Sequence, residues 1–69
     1  MSEIIEEVGQ IIREARKKQG FTQKELGERL GLQQTTINRY EKGGQNFTID
    51  TLQRIATALE TEITITFKP

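Results

Sequence analysis

Apolar residues recur at helical spacing from the start of the chain. Ile5, Val8, Ile12 and Ala15 fall on one face, which predicts an amphipathic helix running to about Lys18. Ser2 is placed to cap it. Glu3, Glu6 and Glu7 lie near its start and Arg16, Lys17 and Lys18 near its end, the order the helix dipole favours. Gly20 is the expected stop. Gly9 interrupts the helix at a cost of about 1 kcal/mol relative to alanine, which points to close packing at that position. A second helix is predicted over Gln23–Leu30, with Thr22 and Glu25 forming a T-x-x-E capping box and Leu26 and Leu30 supplying the buried face. Gly31 follows, where a left-handed residue would end the helix and turn the chain sharply. Ile37 and Tyr40 mark the inward face of a third helix, from Gln33 to about Lys42. Gly27 falls where that helix is expected to cross closest. The loop KGGQN comes next, and then a last helix capped by Thr48 and running to about Leu59. Asp50 sits in its first turn, with Leu52, Ile55, Ala56 and Leu59 inward.

From Glu62 the period changes from helical to alternating. Ile63, Ile65 and Phe67 face one way and Thr64 and Thr66 the other, which predicts a β-strand. Nothing else in the chain resembles a second strand. The economical partner is a copy of the same strand from another subunit, paired antiparallel across a two-fold axis, with its apolar face packed on the helices. The expected architecture is therefore mainly α, with four to five helices over residues 1–61 and a dimerisation strand over residues 62–69. Ile63, Ile65 and Phe67 would form the contact.

The predicted third helix leaves Gln33, Gln34, Thr35, Asn38 and Arg39 outward. All form hydrogen bonds and most carry no charge, a set suited to reading base edges in duplex DNA. The net charge of zero looks awkward for a DNA binder, but its distribution removes much of the difficulty. Between Arg13 and Lys42, eight basic residues face four acidic ones; the remainder holds two basic against six acidic. The chain is a dipole of +4 against −4, which can draw one face to phosphate while the other is repelled. On chemical grounds, Gln23 and Lys24 at the start of the second helix, and Lys42 with the amides of Gly43 and Gly44 at the end of the third, are candidates for phosphate contact.

Composition excludes several alternatives. With no cysteine and no histidine, neither a disulfide framework nor the commonest metal ligands and general base are available. No carboxylate stands in a metal-ligand or nucleotide-binding spacing, so no catalytic residue, metal or cofactor is expected and an enzyme is not. No apolar run approaches the roughly 18–20 residues needed to span a bilayer, and the acidic MSEIIEEVGQ is unlike a signal peptide, which reads as cytoplasmic with no membrane partner.

Counted from Gln23, small residues at the fifth and ninth places and a branched aliphatic at the fifteenth resemble the lambda-type repressor and Cro helix-turn-helix family, also called the xenobiotic-response-element family. IIREARKKQGFTQ is similar to that family's first helix and TIDTLQRIATALE to its closing helix, so about sixty of the 69 residues are covered. The resemblance implies a sequence-specific, double-stranded DNA-binding regulator of transcription. It implies that the helix from Gln33 enters the major groove, that Gln34 touches bases and that Gln23 touches phosphate. It also implies a partly buried ion pair between Arg16 and Glu41 that ties two helices together. ALE followed by a strand is similar to HipB-like antitoxins, dimeric repressors that control their own operon and bind a kinase toxin. That likeness implies a homodimer on a palindromic operator and a kinase-type toxin as a partner. Two departures are expected to bear on the toxin alone: a chain ending at Pro69 would have no tail for further contacts, and KGGQN differs from that group's loops. A phage or restriction-control repressor, or a module whose main task is binding another protein, are the alternative functions.

Overall fold

The computed structural model describes residues 3–69; the expected cap at Ser2 lies outside them. It contains four helices: α1 (Glu3–Lys18), α2 (Gln23–Leu30), α3 (Gln34–Glu41) and α4 (Ile49–Ala58). They surround one core of Ile12, Leu26, Ile37, Tyr40, Ile55 and Leu59, with Val8, Phe21, Leu32, Phe47 and Leu52 packed around it. Each helix contributes at least one residue to that core, so none can be removed without exposing apolar surface. Phe47, in the α3–α4 loop just before the Thr48 cap, meets the Tyr40 ring edge-on, with centroids 5.2 Å apart.

Capping sets the helix starts. The Thr22 hydroxyl accepts from the Glu25 amide at 3.0 Å, and the Glu25 carboxylate accepts from the Thr22 amide at 2.9 Å. Those bonds, the backbone one foremost, hold the Glu25 carboxyl below its ordinary range. This contribution to stability is present above the ordinary value and is lost as pH falls through the lowered one. Thr48 caps α4 in the same way, accepting from the Thr51 amide at 3.0 Å. The stops follow a second rule. Gly31 takes φ 70°, and the Leu32 amide reaches back to the Gly27 carbonyl at 2.8 Å, which turns the chain between α2 and α3. At the end of α4, Glu60 does the same work with φ 57°, and the Thr61 amide bonds the Ala56 carbonyl at 2.9 Å. Two side chains from elsewhere in the fold support this glycine-free stop: Gln19, just past α1, donates to the Leu59 carbonyl and Arg29 of α2 to the Ala58 carbonyl, both at 3.0 Å.

Two glycines let the backbones close. A Cβ at Gly9 would stand 2.6 Å from the Tyr40 carbonyl oxygen and 2.9 Å from that of Glu41, so α1 lies directly against the end of α3. A Cβ at Gly27 would stand 2.6 Å from the Leu32 carbonyl oxygen. The close neighbour there is the turn leading into α3, rather than the body of the expected crossing helix. Gly9→Ala should destabilise the fold by about 1–3 kcal/mol although alanine is the better helix former, because the obstructing atoms are backbone. Urea unfolding measures this, and an unchanged midpoint would show that α1 can retreat freely.

Residues 61–69 form no strand in the single chain. A strand needs a neighbour for its amides and carbonyls, and the helices, whose backbones bond internally, provide none. Ile65 is 57% exposed and Phe67 95%. Thr61–Thr66, with Ile4, Val8, Ile11 and Leu52, line an open apolar groove of about 420 Å³ between α1 and α4.

Candidate nucleic-acid interface

Helix α3 is fixed from behind. Ile37 is fully buried and Tyr40 and Glu41 nearly so, while Gly9 and Gly27 admit α1 and the preceding turn to backbone contact. What remains in front is polar. Gln33 is the N-cap residue but its side chain makes no capping bond, so its amide is uncommitted at the mouth of the helix. Gln34, Thr35 and Arg39 are exposed and Asn38 is half-buried beside them. These five side chains, expected to read bases, run along the outward side of α3 from its N-cap, Gln33, to Arg39 in its last turn. The Arg39 stem lies over Gly44, where a Cβ would meet its Cγ at 2.9 Å. Its guanidinium has no carboxylate partner among the described residues.

Behind that face, the Arg16 guanidinium grips Glu41. Arg16 Nε donates to Glu41 Oε2 at 2.6 Å and Nη2 to Oε1 at 3.1 Å, while Nη1 donates to the Phe21 carbonyl at 2.8 Å. The side chains are 11% and 2% exposed, so the pair belongs to the interior and links α1 to α3. Gln23, the first residue of α2, joins it: its Nε2 donates to Glu41 Oε1 at 3.1 Å. Sequence reasoning placed Gln23 at phosphate and did not see this bond, because nothing in the spacing of residues 23 and 41 signals it.

The phosphate candidates fare differently. Lys24 and Lys42 are exposed, on the first turn of α2 and just past the end of α3. Gly43 must be withdrawn. Its amide is taken by the Tyr40 carbonyl at 3.1 Å, and that of Gly44 by the Arg39 carbonyl at 3.0 Å. Gly43 is also buried against α1, with Glu6 Cα 2.9 Å from where its Cβ would be. The glycines were read as donors for DNA, but closing α3 consumes both donors. Sequence reasoning also missed Arg29, whose guanidinium lies 4.3 Å over the Phe21 ring and pairs with Glu60 at 3.0 Å. That cation is committed to the fold rather than offered to phosphate.

Comparison with known proteins agrees with this geometry. The sequence matches the helix-turn-helix family over residues 12–65. The chain belongs to the lambda-repressor-like helix-turn-helix family. It is 46% identical over 52 residues to an uncharacterized HTH-type transcriptional regulator of Methanothermobacter thermautotrophicus, covering 75% of each chain. It is 36% identical over 50 residues to antitoxin HipB of Escherichia coli K12; that match takes in 72% of this chain and 57% of HipB, just over half of the relative's length. Its fold matches the restriction-modification controller protein C.Esp1396I, solved as a tetramer in complex with its natural 35-base-pair operator. The TM-score is 0.81 and the identity 31%, covering 90% of this chain and 82% of that one. Residues 12–65 are thus a helix-turn-helix domain of the kind found in HTH-type transcriptional regulators. Among the described residues no helix is long and apolar enough to cross a membrane.

Proposed function

We propose that this regulator works as a homodimeric repressor at a palindromic operator in its own promoter. The observation that carries the reading is the face of α3: five polar side chains free of structural duty, on a helix whose back is pinned by buried residues and two glycine contacts. A rigid helix with an uncommitted polar front is what base readout in the major groove requires. Gln33, Gln34, Thr35, Asn38 and Arg39 read the half-site. Gln23, Lys24 and Lys42 hold the flanking phosphates, and Ile63, Ile65 and Phe67 join the two copies.

The finer assignment is to an antitoxin that represses a toxin–antitoxin operon and binds a kinase-type toxin. The likeness to HipB supports it. A restriction-control regulator is the second reading, favoured by the fuller coverage of the controller protein's chain than of HipB's. A mobility shift on the protein's own promoter tests the shared core of both. No shift there, together with capture of a neighbouring gene's product, would leave a protein-interaction module as the function. The adjacent gene separates the two operon types, a toxin kinase in one case and a restriction or methylation enzyme in the other.

Two substitutions separate reading from holding. Gln34 can bond an adenine edge through both ends of its amide, so Gln34→Ala should cost about 1–3 kcal/mol of discrimination at one base pair in each half-site. Binding to a scanned operator set checks this, and an unaltered preference at every position rejects the assignment. Lys42→Ala should weaken all sequences about equally and flatten the salt dependence by ~0.9 for each phosphate no longer neutralised. Sequence-selective weakening would instead move Lys42 to the reading face.

A further inference from the structure

We infer that Glu41, the buried last residue of α3, is a positioning residue for DNA binding: it orients the Gln23 amide so that one of its two hydrogens remains for a backbone phosphate. The inference rests on the proposed phosphate role of Gln23. A carboxylate accepts hydrogen bonds and donates none, so Glu41 Oε1 can hold Gln23 only through Nε2, as the 3.1 Å contact shows. That choice fixes which end of the amide faces inward. A phosphate oxygen is also an acceptor, and the Gln23 carbonyl oxygen has nothing to offer it. The second Nε2 hydrogen does. Gln23 is half-buried at the first position of α2, beside the amides that a helix start leaves without intrahelical partners. Without Glu41 the amide would rotate, and ordering it would be left to the moment of binding.

The charge of Glu41 would oppose a nearby phosphate if it stood alone. Arg16 prevents this, because both carboxylate oxygens accept from its guanidinium. The Arg16–Glu41 pair thus has two tasks: it ties α1 to α3, and it presents an acceptor to Gln23 with its charge already compensated. Arg16 itself, 11% exposed and committed through Nε, Nη1 and Nη2, touches no DNA.

A double-mutant cycle on operator affinity tests the inference. One change is Gln23→Ala. The other replaces the pair together, Arg16→Met with Glu41→Leu, since apolar replacement of a whole buried ion pair is often neutral for stability. Each change alone should lower affinity for specific and unrelated DNA. Gln23→Ala should do so by about tenfold to a hundredfold, the range of one hydrogen bond to an ionised group, and the paired replacement by less, since the amide is then disordered but still present. The salt slope should stay unchanged, because glutamine displaces no counterion. Combined, they should lose no more than Gln23→Ala does alone. Fully additive losses overturn the positioning role while leaving Gln23 at the phosphate. Unchanged affinity in Gln23→Ala overturns the phosphate role beneath it. If the paired replacement does not fold, the side-chain amide resonances of Gln23 in the unmodified protein decide. One hydrogen slow to exchange in the free protein and both slow in the operator complex is the expected result. Two fast hydrogens in the free protein refute it.

Discussion

Arg16→Met should lower stability by about 3–5 kcal/mol, the loss typical when one partner of a buried ion pair is removed. The size follows from what is left behind. Glu41 is 2% exposed and takes two bonds from Arg16, so the substitution strands a carboxylate where water cannot reach it, with only Gln23 still donating. The Phe21 carbonyl, at the joint between α1 and α2, loses its donor as well. A chain of 69 residues has about 3–10 kcal/mol of stability in total, so this one substitution removes from about a third to all of it. The Arg29–Glu60 pair gives the contrast. Its side chains are 45% and 66% exposed, and an ion pair in that setting contributes about 0–1 kcal/mol. Arg16→Lys should fall between the unmodified protein and the methionine variant, because an ammonium keeps the charge but cannot make the forked contact. Urea unfolding followed by circular dichroism measures all of these. DNA affinity in Arg16→Met should fall with the folded fraction, and beyond it only by the modest effect of an uncompensated Glu41 carboxylate behind Gln23. A variant of full stability and weak DNA binding would place Arg16 on the DNA and refute its assignment to the core.

The fold was legible where one residue type has one physical use. Thr22 with Glu25 three places on can cap a helix start, and the structure shows both bonds of the box. Gly31 with φ 70° is the stop that its place after Leu30 suggested. Helical periodicity found α1, α3 and α4 to within a residue or two of their ends, because a buried face repeats along the chain. Contacts made by side chains far apart in sequence leave no such trace. Gln19 and Arg29 fasten the end of α4, and Glu60 adopts a left-handed turn there that the sequence would have led one to expect of glycine. The site divides the same way. The face of α3 could be read off because Ile37 and Tyr40 fix which side is inward. The bond from Gln23 to Glu41 could not, since many polar residues could have met that carboxylate. Gly43 misled for a related reason: a glycine amide at the end of a helix serves either the chain or a ligand, and only the backbone path decides.

Deleting residues 62–69 should leave the four helices folded, though less stable, and should convert the proposed dimer to a monomer. In the single chain this segment has apolar side chains on one face and no backbone partner, with Ile63, Ile65 and Phe67 38%, 57% and 95% exposed. Ile4 and Ile11 on α1 are 64% and 63% exposed beside the same open groove. A second copy paired strand to strand satisfies the backbone, and its apolar face can cover the groove. Glu62, Lys68 and Pro69 on the outer margins discourage the open-ended addition of further strands. The functional cost of deletion exceeds the structural one. One α3 contacts only a few base pairs, too little to stand out against bulk DNA, whereas a joined pair turns the second half-site into an intramolecular contact. Loss of that linkage should weaken operator binding by about a hundredfold or more. It should also abolish the preference for two half-sites at a fixed spacing, centred about one helical turn, or a multiple of it, apart. Single half-site binding should change little. Sedimentation at micromolar concentration, with titration of one- and two-half-site duplexes, checks both statements. A truncated chain that still sediments as a dimer would put the interface on the helices and leave the alternating segment without its proposed role.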